Sequence, residues 1–319
     1  MRQFLIQLLP YLLIGVFLQG LGYIQSTYFA GEGDLIRLGR FFPKRHYKDT
    51  PPMSTAQSAE CHEVLLVGDS HLDQAPIQRR FQHYLTTPTS SHSHWSYENG
   101  RNPLITAIKL IRQNKPQPKF LIIEIVERNL IPSAIDFLRY QDFSQPLKTK
   151  NGQKGHISLP YHVDEGIASL LSVGNFRVSW FNNHLCQKLK TTKPPPLYNN
   201  QNILLYSEEL NEQKSISESA KTIEALDNRL HETLDPLGIP FFLYIIPNKA
   251  TVYSNYFDSS IVARSILDHS PMPGTITSPV FELRQAVADG QMEVYKYSDT
   301  HLGTSGARIV GMHLKNLIQ

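Results

Sequence analysis

Cysteine is scarce in this chain of 319 residues, which contains only Cys61 and Cys186 and no CxxC pair. This scarcity excludes a cysteine-ligated zinc site and a disulfide-dense scaffold. In an oxidising compartment the two thiols could form one disulfide, although nothing in the sequence shows that they meet.

A strong charge of either sign is also missing. The formal net charge is +3, and there is neither an arginine-rich stripe nor a nucleic-acid-binding signature, so we expect no nucleic-acid partner. No internal repeat is present. What the chain does have is 41% apolar residues, enough for a real core, and a length that suits one large domain or two small ones.

The N-terminus carries a long apolar segment. No charged residue occurs from Phe4 to Ile24, and as a helix this stretch spans roughly 30 Å, the thickness of the hydrocarbon core of a bilayer. We therefore predict a single-pass membrane anchor over residues 1–26. A cleaved signal peptide fits less well, because the apolar region is long and no small-x-small site closes it. A buried cytosolic helix is the remaining alternative.

The orientation of this anchor is argued from its flanks. Only Arg2 precedes the apolar segment, whereas several basic residues follow it, which by charge alone disfavours export. They include Arg37, Arg40, Lys44 and Arg45. Long domains nevertheless cross membranes largely regardless of charge. We therefore expect the chain beyond the anchor to lie outside the cytoplasm.

Beyond the anchor, the sequence predicts a polar, proline-containing stalk over residues 27–60 and a folded domain over 61–319. Apolar runs typical of strands alternate there with helical spacing, which predicts an α/β fold with a doubly wound parallel sheet. The predicted strands are Glu63–Val67, His94–Tyr97, Phe120–Val126, Phe241–Ile246 and Met292–Tyr297. The predicted helices are Asn102–Asn114, Ser215–Leu234 and Thr304–Leu317.

Residues 131–205 do not fit this alternation, because they show no clean strand pattern and are too long for an ordinary loop. We predict an insertion there. It either lines a substrate groove or packs as an accessory subdomain.

Two polar segments carry the candidate chemistry. Gly68-Asp69-Ser70-His71 follows the first predicted strand, and Ser298-Asp299-Thr300-His301 precedes the last predicted helix. A serine hydroxyl becomes a good nucleophile when an imidazole takes its proton and a carboxylate orients that imidazole. The segments therefore offer Ser70 as nucleophile, His301 as base and Asp299 as the orienting acid.

Such chemistry also needs donors for the negative charge that develops on the substrate oxygen. The backbone N–H of Ser70 is one candidate, and the others follow the carboxyl ends of predicted strands, where α/β sheets bind ligands. The candidates for the oxyanion or the substrate are Asn99, Gly100, Arg101 or Asn102, Arg128, Asn129, Lys249, Tyr253 and His71. His92 and His94, by contrast, are predicted to be solvent-exposed.

Taken together, these motifs resemble the SGNH (GDSL-like) hydrolases. The closest likeness in motif is to the SGNH-like O-acetyltransferases of bacterial exopolysaccharide (alginate-type) systems, through Gly68-Asp69-Ser70, Asp299-Thr300-His301 and Glu127-Arg128. The resemblance implies a flavodoxin-like three-layer α/β sandwich. It also implies acetyl transfer to, or removal from, a saccharide outside the cytoplasm, with Ser70, His301 and Asp299 in the roles given above.

The sequence departs from that family in two ways. The Gly-x-Asn-Asp block of the hydrolases is missing, so Asn129, Arg128 or Asn99 would have to supply the side-chain oxyanion donor. The Asp-Thr-His segment also follows the serine segment, as in ordinary SGNH hydrolases, whereas in the alginate-type proteins it precedes it.

We therefore expect a membrane-anchored, extracytoplasmic serine acyltransferase or esterase that acts on polysaccharide O-acetyl groups and needs no cofactor or metal. The expected partners are a saccharide acceptor or ester substrate, the bacterial inner membrane and, by resemblance, a multi-pass membrane acyltransferase. One alternative is a metal-dependent phosphoesterase that uses the Asp-x-His pairs Asp69/His71 and Asp299/His301. Another is a non-catalytic domain that binds a saccharide or a partner.

Overall fold

The structure is a computed structural model that describes residues 17, 63–69, 72, 89–94, 97, 102–113, 117–148, 186–196, 202–210, 216–258, 265–268, 272–296 and 300–319. The predicted anchor, apart from Phe17, and the predicted stalk lie outside these residues, and so does Cys61, one of the two cysteines. Within the described ranges, none of the helices combines the length and the hydropathy that a bilayer crossing requires.

A five-stranded parallel sheet forms the centre of the described structure. Its strands lie in the order β2-β1-β3-β6-β7, and every neighbouring pair is parallel. Their bounds are Val64–Gly68 (β1), Thr89–Ser93 (β2), Phe120–Val126 (β3), Phe241–Ile246 (β6) and Ile276–Thr277 (β7). The remaining two strands, Cys186–Lys190 (β4) and Asn202–Tyr206 (β5), pair with each other as an antiparallel ribbon.

The described α-helices connect or follow these strands. They are Pro103–Gln113 (α1), Glu127–Arg139 (α2), Ile216–Leu234 (α3), the single turn Lys249–Val252 (α4), Val280–Ala288 (α5) and Thr304–Ile318 (α6).

Hydrophobic side chains cover both faces of the sheet, because successive residues of a strand point to opposite sides. Leu65 and Ile123 pack in one cluster with side chains of α1, α2 and α3. Their neighbours Leu66 and Ile122 pack in a second cluster with side chains of α5 and α6. Strands buried on both faces read as continuous apolar runs, as β1 and β3 do. The predicted α/β class with a parallel sheet is therefore confirmed.

Two predicted strands are wrong. The second sheet strand is β2, not His94–Tyr97, and its sequence Thr-Ser-Ser-His-Ser has no apolar residue because it lies at the edge of the sheet and pairs only with β1. Residues 292–294 form a turn and a bend, and Tyr295 makes only an isolated bridge, so the described part of Met292–Tyr297, which ends at Lys296, is not a strand either. The last sheet strand is β7, whose two residues are too short to show a pattern.

The predicted insertion also contains structure that its sequence did not reveal. Its first residues continue α2 as far as Arg139, and its last ones form the β4–β5 ribbon. The pattern of β4, Cys-Gln-Lys-Leu-Lys, is mostly polar, which is why it does not stand out as a strand.

Candidate active site

Polar side chains collect where the parallel strands end. Asp69 follows β1, His94 follows β2, Arg128 lies just after β3, and Lys249 is the third residue after β6. Because all of these strands run in the same direction, their carboxyl ends meet at one edge of the sheet, the edge at which open α/β sheets bind ligands.

A tight bend follows β1. The Asp69 N–H donates a 2.8 Å hydrogen bond to Glu124 Oε2 in β3, and the Leu72 N–H donates to the Asp69 carbonyl at 3.0 Å. A Cβ at position 68 would lie 2.2 Å from Glu124 Oε2 and 2.6 Å from Leu72 Cδ1. A side chain at position 68 would therefore displace the carboxyl of Glu124 and the side chain of Leu72, whereas glycine leaves both in place beneath the bend.

The Asp69 carboxylate is buried, with 2% of the residue exposed, and two side chains hold it. Asn129 Nδ2 donates a hydrogen bond to Oδ2, and His94 Nε2 lies 3.5 Å from Oδ1. Asn129, predicted as an oxyanion or substrate donor, is thus bonded to the aspartate that precedes Ser70.

The prediction that His92 and His94 are solvent-exposed is wrong. Ser93 pairs in register with Gly68, so the next residue, His94, lies beside Asp69 and is only 4% exposed. His92 is partly buried and hydrogen-bonds Ser90 Oγ at 2.8 Å and Tyr97 Oη at 2.7 Å. The mistake has a simple cause, because a polar edge strand gives no hydrophobic signal from which burial could be predicted.

Glu124 is a buried acid in the middle of the sheet. Burial and, to a lesser extent, the negative charge of Asp69 raise its pKa to about 8, although the Asp69 N–H and the charge of Arg128 oppose the rise. The carboxyl is therefore largely neutral at pH 7.

This pKa leads to a prediction about stability. Glu124 has a folded-state pKa of about 8 against an ordinary 4.5, so its favourable contribution is fully present below pH 4.5 and is lost as the pH rises to about 8. Glu124→Gln keeps an acceptor for the Asp69 N–H but has no proton to lose. We expect the variant to be more stable than the wild type at pH 8, by a difference on the order of a few kcal/mol, and to lose this advantage towards pH 5.

Urea unfolding of both proteins at pH 5 and pH 8 measures this difference. Glu224→Gln, at an exposed position on α3, is the matched control and should leave the pH dependence unchanged. Parallel stability curves for the wild type and Glu124→Gln would contradict the assignment of a neutral Glu124.

The loop that carries His301 is fastened to the carboxyl end of β6. Lys249 Nζ, fully buried, donates to the Lys296 carbonyl at 2.7 Å, and the Tyr295 hydroxyl donates to the Pro247 carbonyl. The loop also closes on itself, because the Lys296 N–H donates to the His301 carbonyl at 3.1 Å. His301 itself is 4% exposed. Lys249, predicted near the substrate, thus binds the backbone of the His301 loop.

Close packing continues into the last helix. Tyr295 and Leu302 form an antiparallel bridge, and a Cβ at Gly306 would lie 2.0 Å from the Val294 carbonyl oxygen, so only glycine fits there. Leu302, next to His301, belongs to the same hydrophobic cluster as Leu72, two residues after Ser70. The two motifs that the sequence singled out thus flank one shared cluster.

Arg128 links the sheet edge to the β4–β5 ribbon. Its Nη1 lies 3.6 Å from Glu209 Oε1, and its guanidinium lies 5.4 Å from the centre of the Tyr206 ring, at the end of β5. Burial raises the pKa of Glu209 to about 7, and the charges of Arg128 and Lys249 oppose that rise. Glu209 Oε2 also accepts the Ala250 N–H at 3.0 Å. The end of the predicted insertion is thereby attached to the candidate site.

The side chain of Asn102 caps a helix, and that of Tyr253 is buried in the core. Asn102 Oδ1 accepts the Ile105 N–H at 3.0 Å, as in a helix cap, and its Nδ2 donates to Asp136 at 2.9 Å. The side chain of Asn102 therefore serves α1 and not an oxyanion, contrary to one alternative from the sequence. Tyr253 is fully buried, and burial raises the pKa of its hydroxyl.

The predicted site residues divide into two groups. His301, Arg128, Asn129, Lys249 and Tyr253 are described, and all five belong to the carboxyl side of the sheet or to the loops fastened there. Six further residues lie outside the described residues, and their predicted roles stay predictions: Ser70, His71, Asn99, Gly100, Arg101 and Asp299.

Sequence reasoning missed Glu124 and His94. A signal for Glu124 was present, since it is the one charged residue in the apolar run Phe-Leu-Ile-Ile-Glu-Ile-Val. A buried carboxyl in such a run indicates a specific partner. For His94 the sequence held no comparable signal.

Within the described part of the chain, no three His, Cys, Asp or Glu side chains are grouped so that they could hold a metal ion. Neither protein-family models, nor curated proteins, nor solved structures give a match to this chain. The interpretation of the site therefore depends on its own residues and geometry.

Proposed function

We propose that this protein is an SGNH-type serine acyltransferase or esterase that acts on O-acetyl groups of a cell-envelope or secreted polysaccharide. It is anchored in the bacterial inner membrane by residues 1–26, with its catalytic domain on the extracytoplasmic side. The acyl group passes through an ester with Ser70.

One observation carries this proposal: the loop of His301 is fastened to the carboxyl end of β6 by buried hydrogen bonds from Lys249 and Tyr295. The Gly68-Asp69 bend leaves the same edge at β1, and only β3 lies between β1 and β6. Two strand spacings amount to roughly 10 Å. Side chains that extend towards each other from these loops can meet across that distance.

The reaction follows from the residue types. The Ser70 hydroxyl attacks the carbonyl carbon of an acyl donor while His301 takes its proton and Asp299 orients the imidazole. The backbone N–H groups of Ser70 and Gly100 stabilise the charge on the carbonyl oxygen. The leaving group takes a proton from His301, and an acyl-Ser70 ester remains.

The acceptor determines the product. If water attacks the ester, the reaction is hydrolysis; if a saccharide hydroxyl attacks, it is transfer. In both cases His301 takes the proton of the attacking group, so the outcome depends on how well the site excludes water. A donor outside the cytoplasm would come from a multi-pass membrane acyltransferase, the partner that the family resemblance implies.

The proposal is tested with para-nitrophenyl acetate as the acyl donor. We expect the purified protein to release para-nitrophenolate continuously, and a transferase should release it faster when an oligosaccharide acceptor is added and acetylated. Release at the uncatalysed rate, with no acetylated saccharide, would contradict both forms of the proposal.

A further inference from the structure

Three side chains from neighbouring elements hold Asp69, and we call them the Asp69 cradle: Glu124 of β3, Asn129 of α2 and His94 after β2. Glu124 accepts the main-chain N–H of Asp69, while Asn129 and His94 contact the two oxygens of its carboxylate. Asp69, Glu124 and His94 are each at most 4% exposed. The residue before Ser70 is thus held by its backbone and by both oxygens of its side chain.

We propose that Glu124 and His94 are positioning residues for the nucleophile, because they anchor Asp69 and thereby set the direction in which Ser70 leaves the sheet. The inference rests on the proposed function, since it assigns these two residues a part in presenting Ser70. Neither is proposed to touch the substrate.

Glu124 lies directly beneath the bend and is hydrogen-bonded to it. Its Oε2 occupies the position that a side chain of Gly68 would need, 2.2 Å from that Cβ, and accepts the Asp69 N–H at 2.8 Å. The raised pKa keeps the carboxyl largely neutral at pH 7, so no second buried charge adds to that of Asp69. A neutral amide at this position can make the same hydrogen bond, whereas an apolar side chain cannot.

His94 holds the other side of Asp69. Because β2 pairs with β1 in parallel register, His94 is placed directly beside the bend, with Nε2 3.5 Å from Asp69 Oδ1. Asp69 is thus held from the edge of the sheet by His94 and from its centre by Glu124. Loss of either anchor should loosen the bend, and a displacement of 1 Å at a reacting group costs about 10²-fold in rate.

The first test does not depend on activity. Hydrogen exchange at the Asp69 and Leu72 amides reports how often the bend opens, because both are hydrogen-bonded within it. We expect exchange at these amides to be at least about 10-fold faster in Glu124→Leu and His94→Ala than in the wild type. Glu124→Gln should remain near the wild-type rate. His92→Gln, two residues before His94 on the same strand, is the matched control and should change neither amide.

The second test uses the acetyl ester. We expect Glu124→Leu and His94→Ala to lower kcat by about 10²-fold with little change in KM, because they displace the nucleophile and not the substrate. Glu124→Gln should restore most of kcat, which a merely apolar packing role of Glu124 would not predict.

The inference is overturned if both amides exchange at the wild-type rate in Glu124→Leu and His94→Ala, or if faster exchange leaves kcat unchanged. If Glu124→Leu does not fold, His94→Ala decides alone. A wild-type protein without esterase or transferase activity would instead refute the proposed function, and the exchange rates would still show whether Glu124 and His94 anchor Asp69.

Discussion

Ser70→Ala is expected to lower the turnover of para-nitrophenyl acetate by roughly four orders of magnitude or more and to leave the fold intact. The hydroxyl is the atom that becomes acylated, so its removal eliminates the covalent path and leaves only what binding and backbone donors contribute. The fold should persist because the side chains that hold Asp69, namely Glu124, Asn129 and His94, are unchanged.

The initial rate of nitrophenolate release measures the loss of turnover, and the thermal melting curve shows whether the fold is intact. Ser144→Ala is a suitable control, since Ser144 is an exposed serine whose hydroxyl bonds Asp142. Unchanged turnover in Ser70→Ala would rule out the serine mechanism.

His301→Gln should reduce the rate nearly as much, because without an imidazole nothing takes the serine proton near neutral pH. Asp299→Asn should cause a smaller loss, since the imidazole remains but its orientation is no longer fixed by a carboxylate. The anchors of the loop, Lys249 and Tyr295, are unchanged in both variants, so the loop should stay in place.

Thermal melting separates a lost base from a damaged fold, because His301→Gln should melt with the wild type while its rate falls. His313→Gln, at a partly buried histidine on α6, is the matched control and should keep the wild-type rate. If His301→Gln keeps full activity, the base is another residue, and His71 is the next candidate.

Hydrophobic pattern predicted the elements of this fold that are buried. The apolar runs predict β1, β3 and β6, and the helical spacing predicts α1, α3 and α6, each with bounds within one residue of those observed. Central parallel strands are buried on both faces, so nearly all of their residues are apolar.

The two sheet strands that the sequence does not predict are not constrained to be apolar along their length. The strand β2 is polar because it lies at the edge of the sheet, and β7 has only two residues. The sequence predicts that His94 begins a strand, whereas in the structure it follows the end of β2. Its burial beside Asp69 is missed for this reason. The position of β2 is set by its pairing with β1, and a single sequence does not show such a long-range contact.

In the candidate site, local sequence identifies individual residues but not the contacts between them. Local sequence was enough to select Asp69, His301 and Lys249, because each follows or precedes a recognisable element. It could not show that Lys249 would bind the Lys296 carbonyl or that Glu124 would cross beneath Gly68, since those contacts join segments far apart in the chain.

The most direct measurement of the central claim is mass spectrometry of the intact protein after incubation with an activated acetyl donor, followed by peptide mapping. The account predicts that wild-type protein gains one acetyl group on Ser70, that His301→Gln gains it far more slowly and that Ser70→Ala does not gain it. A stable acetyl group on another residue, or wild-type protein that turns over the donor while Ser70 is never modified under rapid quenching, would contradict it.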